Sequence, residues 1–281
     1  MTQLSVHDLF DRATARGGGV GAFNVILLEH AEALVAGAES AGAPVVLQIS
    51  QNCVRYHGAL EPITRATLAV AAAAEIPAVV HLDHADDVSL VHEAVRLGVR
   101  SVMFDASALD YEANVASTAD VVAYCHERGV AVEAELGEVG GKDGVHAPGA
   151  RTDPAEAAAY VAATGVDSLA VAVGTSHAML TRDAAVDHDL IRRLRDAVPV
   201  PLVLHGSSGV PDEQLTRAVD SGMVKVNIST HLNGVFTAAV RDRLAAAPEL
   251  VDPRKYVRAG RDAVTAETAR LLGVLRATRT A

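Results

Sequence analysis

Three histidines stand where short apolar runs end: His84 in Ala78-Val-Val-His-Leu-Asp-His84, His177 in Leu169-Ala-Val-Ala-Val-Gly-Thr-Ser-His177, and His205 in Pro201-Leu-Val-Leu-His205. Apolar runs of this length, bounded by Gly or polar residues, read as strands of a parallel sheet buried on both faces. Parallel strands deliver their C-terminal ends to one face, so the three imidazoles can converge. Three imidazoles and one open position are a ligand set of catalytic zinc. Among 12 histidines one such placement would mean little. Three of them point to a metal-dependent enzyme.

Carboxylates lie close to these histidines. In His81-Leu-Asp-His-Ala-Asp-Asp87 the strand period puts His81 and Asp83 on one face and Leu82 on the other, with His84 at the strand's mouth. A carboxylate beside a ligating histidine can move a proton or orient the ring. Asp86 and Asp87 read as caps of the next helix. Glu135 ends another run and can reach the same metal; Glu133 shares its face by alternation, so periodicity does not choose between them. Asp105, in Met103-Phe-Asp-Ala-Ser107, fits a metal contact or a turn cap equally well. His205-Gly-Ser-Ser-Gly209 and Lys225-Val-Asn-Ile-Ser-Thr230 read as anion cradles, since backbone N–H groups and a helix start need only small residues there.

Eight strand–helix cycles would carry these groups. The strands are expected at Val20–Asn24, Pro44–Ile49, Ala78–Leu82, Ser101–Phe104, Val130–Glu135, Ser168–Val173, Leu202–Leu204 and Val224–Asn227. The helices that follow are expected at Glu29–Ala41, Ile63–Glu75, Asp87–Leu97, Tyr111–Arg128, Asp153–Thr164, Asp187–Ala197, Pro211–Ser221 and Thr230–Ala246. Gly98, Gly129, Gly165 and Gly222 mark helix ends. This count is that of a single-domain (β/α)8 TIM barrel, with Asp252–Thr278 as an extra C-terminal helix. A doubly wound sheet is the runner-up, but it would carry a Gly-rich fingerprint after its first strand, whereas Gly17-Gly18-Gly19 precedes it. Ser50–Gly58 reads as a polar loop, and Gly137–Gly149 as a long Gly-rich loop of the kind that forms a lid.

Composition excludes several classes. With 281 residues, half of them hydrophobic and none of them Trp, Ala, Val, Leu and Gly must fill the core. A net charge of −11 argues against nucleic acid, because no basic stripe is there to replace counterions. The two cysteines, Cys53 and Cys125, are too few for a disulfide framework. No apolar stretch approaches membrane-spanning length and the N-terminus has no secretory pattern, so no membrane role and a cytoplasmic location are expected.

At these residues the chain resembles the class II, zinc-dependent ketose-bisphosphate aldolases, which act on fructose or tagatose 1,6-bisphosphate. The matches are Ala22-Phe-Asn24, Leu82-Asp-His84, Glu133-Ala-Glu-Leu-Gly137, Gly140-Gly141, Gly174-Thr-Ser-His177, His205-Gly206, Val226-Asn227 and Asp252-Pro-Arg-Lys-Tyr256. The resemblance implies that His84, His177 and His205 hold Zn2+, with Glu135 and Asp105 lining an alternative or second metal position. It implies that Asp83 exchanges the proton of the C4 hydroxyl and that Asp143 moves the C3 proton. Gly206, Ser208, Asn227 and Thr230 would bind the dihydroxyacetone phosphate part beside a monovalent cation (Na+ or K+), and Asn24 and Ser50 would face the substrate. A homodimer or homotetramer is implied as well.

The chain departs from the family pattern near the substrate. Asp143 stands where the loop usually has Glu, Ala178 where Gly usually follows the second metal histidine, and Ser229 and His231 replace residues usual after Asn227. The expectation is therefore a zinc aldolase cleaving a ketose (bis)phosphate such as fructose 1,6-bisphosphate to dihydroxyacetone phosphate and an aldehyde. The alternatives are the same chemistry on tagatose 1,6-bisphosphate or a ketose 1-phosphate, or a non-catalytic sugar-phosphate binder. A metallohydrolase barrel would commonly place His-x-His after its first strand, which here ends in Phe23-Asn24. Arg254 and Arg258 are candidates for a second phosphate or for a solvated helix face.

Overall fold

Parallel strands close into a barrel in strict chain order: β1 (Val20–Asn24), β2 (Val45–Ser50), β3 (Ala78–Ala85), β4 (Ser101–Phe104), β5 (Ala131–Leu136), β6 (Ser168–Val171), β7 (Leu202–Leu204) and β8 (Met223–Ile228). The ring closes through β1 and β8, where Gly21 lies opposite Val226 and Ala22 opposite Asn227. The computed structural model describes residues 5–136, 151–176 and 181–277. Among these the helices are α1 (Val6–Ala15), α2 (Leu28–Ala41), α3 (Gln51–His57), α4 (Glu61–Ala73), α5 (Val88–Leu97), α6 (Tyr111–His126), α7 (Pro154–Thr164), α8 (His188–Ala197), α9 (Asp212–Ser221), α10 (Thr230–Ala246) and α11 (Pro253–Val274). The expected (β/α)8 architecture is the observed one, and the extra C-terminal helix is α11, packed outside the barrel against α2 and α10.

The barrel interior is stratified. Each strand alternates, so Val79, His81 and Asp83 share the inner face of β3, and Ala131, Glu133 and Glu135 that of β5. The lower layer is apolar: Val20, Ala22, Val46, Val79, Ala131 and Val224 form one cluster with Val6, Leu9, Phe10 and Ala13 of α1. Helix α1 thus plugs the N-terminal mouth, and burying Leu9 and Phe10 contributes about 1.5–3 kcal/mol each. Above it the inner face turns polar and charged, with Gln48, His81, Asp83, Glu133, Glu135 and Lys225 all buried. Alternate residues such as Leu82, Val102, Val132 and Leu204 face the helices and build the larger core.

The structure corrects the sequence reading at several points. Ser50–Gly58 is not a loop: Gln51–His57 is helix α3, and the Ser50 hydroxyl accepts from the Cys53 N–H at 3.2 Å as its N-cap. Asp86 braces that turn by accepting from Gln51 Nε2 at 2.5 Å, while Asp87 caps α5 as expected. Helix α1 was not expected, although Ser5 and Asp8 form a reciprocal capping box. Strand β3 runs three residues past Leu82, because a bulge there lets it continue. Cys53 and Cys125 are buried and unpaired, and burial pushes both thiols up to about 11. No helix among the described residues is long and apolar enough to cross a membrane.

Candidate active site

The site lies where β3, β5 and β7 end. His84, Glu135 and His205 bring ligand atoms within 4.8 Å of one another, and the His84 and His205 rings meet edge to face with centroids 4.7 Å apart. Strict alternation would send His84 outward with Leu82. Two features prevent this. The register slips by one residue between Leu82 and Ala85, and His84 adopts a left-handed backbone with φ 49°. A bulge of this kind re-aims a side chain, so Asp83 and His84, adjacent in sequence, both serve the mouth. For a residue with a Cβ the left-handed conformation costs roughly 1–2 kcal/mol.

Each imidazole is held by a carboxylate. Asp105 accepts from His84 Nδ1 at 2.8 Å, and Asp105 is in turn fixed by the Ser107 hydroxyl at 2.6 Å. The structure therefore brings Asp105 to His84 as its partner, outside the three-residue group. His205 is fully buried between two acids, with Nδ1 2.8 Å from Glu135 and Nε2 3.0 Å from Glu133. Glu133 also accepts from Lys225 Nζ at 2.7 Å, deep in the barrel. Both glutamates left open by periodicity are thus used, Glu135 at the ligand cluster and Glu133 beneath it.

The charges follow from these contacts. Burial alone would depress the His205 imidazole, but hydrogen bonds to Glu133 and Glu135 push it up to about 9 in the metal-free protein. Burial would raise Glu133, yet Lys225 and then His205 hold it well below the usual carboxylate range. Burial would likewise raise Asp83, and its electrostatic interactions with the neighbouring His84, Lys225, His205 and His81 side chains hold it below that range. His81, by contrast, is driven down to about 3 by burial and by Lys225, so it is a neutral ring, bonded through Nδ1 to Ser101 Oγ at 2.7 Å.

The remaining expected residues surround this centre. Asn24 Nδ2 lies 3.5 Å from Asp83 Oδ2, and Gln48 Nε2 donates to Asn24 Oδ1 at 3.2 Å, so Gln48 sets the Asn24 amide toward Asp83. The other Asp83 oxygen is buried with no partner, as are both amide atoms of Asn227. Buried polar atoms are normally hydrogen-bonded, and these three mark where a polar ligand fits. Gly206 has φ 65°, and a Cβ there would stand 2.7 Å from the Ser176 backbone, so only Gly lets the chain approach so closely. Ser208 Oγ accepts from the Ser229 N–H at 3.2 Å, tying the loop after β7 to the start of α10. Thr230, the first residue of α10, and Ser50 are half-buried at the same mouth. His177, Asp143, Ala178 and Gly140-Gly141 lie outside the described residues.

Sequence reasoning missed two residues here. It placed Lys225 in an anion cradle, whereas the side chain is fully buried against Glu133; alternation with Asn227 was the signal for an inward Lys. It gave Gln48 no role, although a Gln inside the apolar run Val45-Val-Leu-Gln-Ile49 is itself such a signal. Arg254 is exposed and paired with Asp252 at 3.0 Å.

The sequence profile described as fructose-bisphosphate aldolase class-II matches residues 4–280. The chain belongs to the class II fructose-bisphosphate aldolase family. A fructose-bisphosphate aldolase of Geobacillus stearothermophilus is 38% identical over 270 residues, covering 95% of this chain and 94% of that protein. One from Thermus caldophilus is 38% identical over 284 residues and covers 92% of each. Among solved structures, the YdjI aldolase of Escherichia coli K12 superposes with a TM-score of 0.87 at 31% identity, over 99% of this chain and 98% of its own. The protein is accordingly a lyase of the aldolase type, and membership brings with it metal dependence and a sugar-phosphate substrate.

Proposed function

We propose that this aldolase is zinc-dependent and cleaves a ketose (bis)phosphate, such as fructose 1,6-bisphosphate, to dihydroxyacetone phosphate and an aldehyde. The observation that carries the reading is the convergence of His84, Glu135 and His205 within 4.8 Å beside the unpartnered Asp83 oxygen. Imidazole and carboxylate donors in so small a space suit zinc, and Asp105 and Glu133 supply the orienting acids that ligating histidines use. His84 and His205 would hold the ion together with His177, and Glu135 would line a second position for it. When bound, zinc supplies a Lewis acid for the enediolate that aldol cleavage leaves behind.

The chain's own residues then divide the work. Asp83 takes the proton of the C4 hydroxyl as the C3–C4 bond breaks, and returns it in the condensation direction. Its position is fixed by Asn24, which Gln48 orients. Asp143 exchanges the C3 proton. Asn227 offers a donor and an acceptor, both unpartnered, to the dihydroxyacetone phosphate part. Gly206, Ser208 and Thr230 line the phosphate, where the Gly206 backbone can approach closely and Thr230 opens a helix. A monovalent cation (Na+ or K+) would sit beside that phosphate, and Ser50 would face the substrate.

The chain is read as a cytoplasmic homodimer or homotetramer. Support comes from α10, one face of which packs on α11 while nine of its 17 residues stay exposed and available to a partner copy. The test of the whole reading is cleavage of fructose and tagatose bisphosphates and of ketose 1-phosphates, coupled to dihydroxyacetone phosphate, with and without EDTA. Turnover lost in EDTA and restored by Zn2+ is expected. Turnover unaffected by EDTA would refute it, and the preferred sugar separates fructose bisphosphate from the alternatives.

A further inference from the structure

Below the ligand cluster runs a buried chain of three groups: Lys225 Nζ to Glu133 Oε2 at 2.7 Å, then Glu133 Oε1 to His205 Nε2 at 3.0 Å. All three side chains are essentially inaccessible to solvent. Lys225 has three donors and no acceptor, so whatever faces it must accept. A carboxylate satisfies Lys225 with one oxygen and still presents the other to His205. His205 Nε2 must then carry a hydrogen even when a metal is bound, which leaves Nδ1, whose own hydrogen Glu135 accepts at 2.8 Å in the metal-free protein, as the nitrogen that can give up its hydrogen and offer a lone pair to a metal.

We propose that Lys225 is a positioning residue that fixes the tautomer of His205 through Glu133, and so decides which nitrogen is offered to the metal. The inference rests on the metal-aldolase reading above. Its sharpest consequence concerns an amide at position 133. In Glu133→Gln the amide oxygen must turn to Lys225, because its NH2 cannot face an ammonium group. The NH2 then faces His205 Nε2, which has to accept, and the hydrogen moves to Nδ1. A nitrogen bearing hydrogen is not a ligand. Removing Lys225 as well lets the amide rotate by half a turn and accept from Nε2 again. The second substitution should therefore repair the first.

The test is Co2+ and Zn2+ binding to full-length wild type, E133Q, K225M and K225M/E133Q, by absorption and calorimetry, with folding checked by circular dichroism. E133Q is expected to weaken metal binding ~10–100-fold, the range found when a group orienting a ligand is lost. The double variant is expected to recover most of that loss, although it carries one change more. A merely structural role for Lys225 would lower thermal stability in each variant without such recovery. Wild-type affinity in E133Q, or a double variant no tighter than E133Q, would overturn the proposal. Should the double variant not fold, long-range 15N–1H spectra of E133Q decide alone: hydrogen on His205 Nδ1 is expected, and hydrogen on Nε2 overturns it. A wild-type protein that binds neither ion would remove the metal-aldolase reading and this inference with it, whereas tight wild-type binding with E133Q unchanged removes the inference only.

Discussion

Loading metal into this site at pH 7 should expel close to one proton from His205. In the metal-free protein the ring is wedged between Glu133 and Glu135, which push it up to about 9. Neutral pH lies about two pH units below that value, so nearly all molecules carry the extra proton. A metal must displace it, which weakens apparent binding by a factor of ~100. Apparent affinity should then rise about tenfold per pH unit from 7 toward 9 and level off beyond. Calorimetric titration with Co2+ in several buffers of different ionisation enthalpy reads the proton count directly. Release of nearly one proton at pH 7, falling to about half near pH 9, is expected. Release near zero at pH 7, or affinity flat from 7 to 9, would refute the picture of a proton occupying the ligand position.

Four further outcomes follow from contacts described above. Asp83→Asn should leave the fold and Zn2+ affinity in place while lowering kcat by ~100–10,000-fold, the usual share of a positioned acid/base; a kcat within threefold of wild type would exclude Asp83 from proton transfer. Gln48→Leu should free the Asn24 amide and lower kcat/KM ~5–10-fold, the value of about 1 kcal/mol for one hydrogen bond, with metal affinity unchanged. Gly206→Ala should cost about 2–4 kcal/mol by urea denaturation, because it combines a left-handed backbone with a Cβ 2.7 Å from Ser176. The stability of the metal-free protein should fall on both sides of pH 6.5 in thermal melts. His205, raised above its unfolded value of 6.5, contributes stability that is full below 6.5 and lost as pH climbs to about 9; His81, depressed to about 3, makes the fold lose stability as pH drops from 6.5 toward 3.

Much of the barrel was legible because its strands are buried on both faces and announce themselves as apolar runs. Val20–Asn24, Ser101–Phe104 and Leu202–Leu204 stand where the sequence reading puts them. The departures have physical causes. Helix α3 spans only seven residues, too short for a 3.6-residue period to show, and its polar sequence resembles a turn. Periodicity could not rank Glu133 against Glu135, since a two-residue repeat puts both inside; depth in the barrel gives them different partners. Lys225 was misread because a lysine is rarely fully buried unless paired, and its partner is 92 residues away in sequence. The histidines His84 and His205 do converge as their strand ends suggested, but the bulge that turns His84 inward leaves no trace in composition or period.

The left-handed backbone at His84 has a consequence for how this protein responds to selection. Glycine, or to a lesser degree asparagine, would relax that conformation and recover roughly 1 kcal/mol, while deleting an imidazole from the ligand cluster. Libraries sorted for heat resistance alone would therefore enrich changes at position 84 that silence the enzyme. Conversely, a homologous barrel freed from catalysis would be expected to drift at that position first, making residue 84 a marker by which inactive descendants of this fold can be told from working ones.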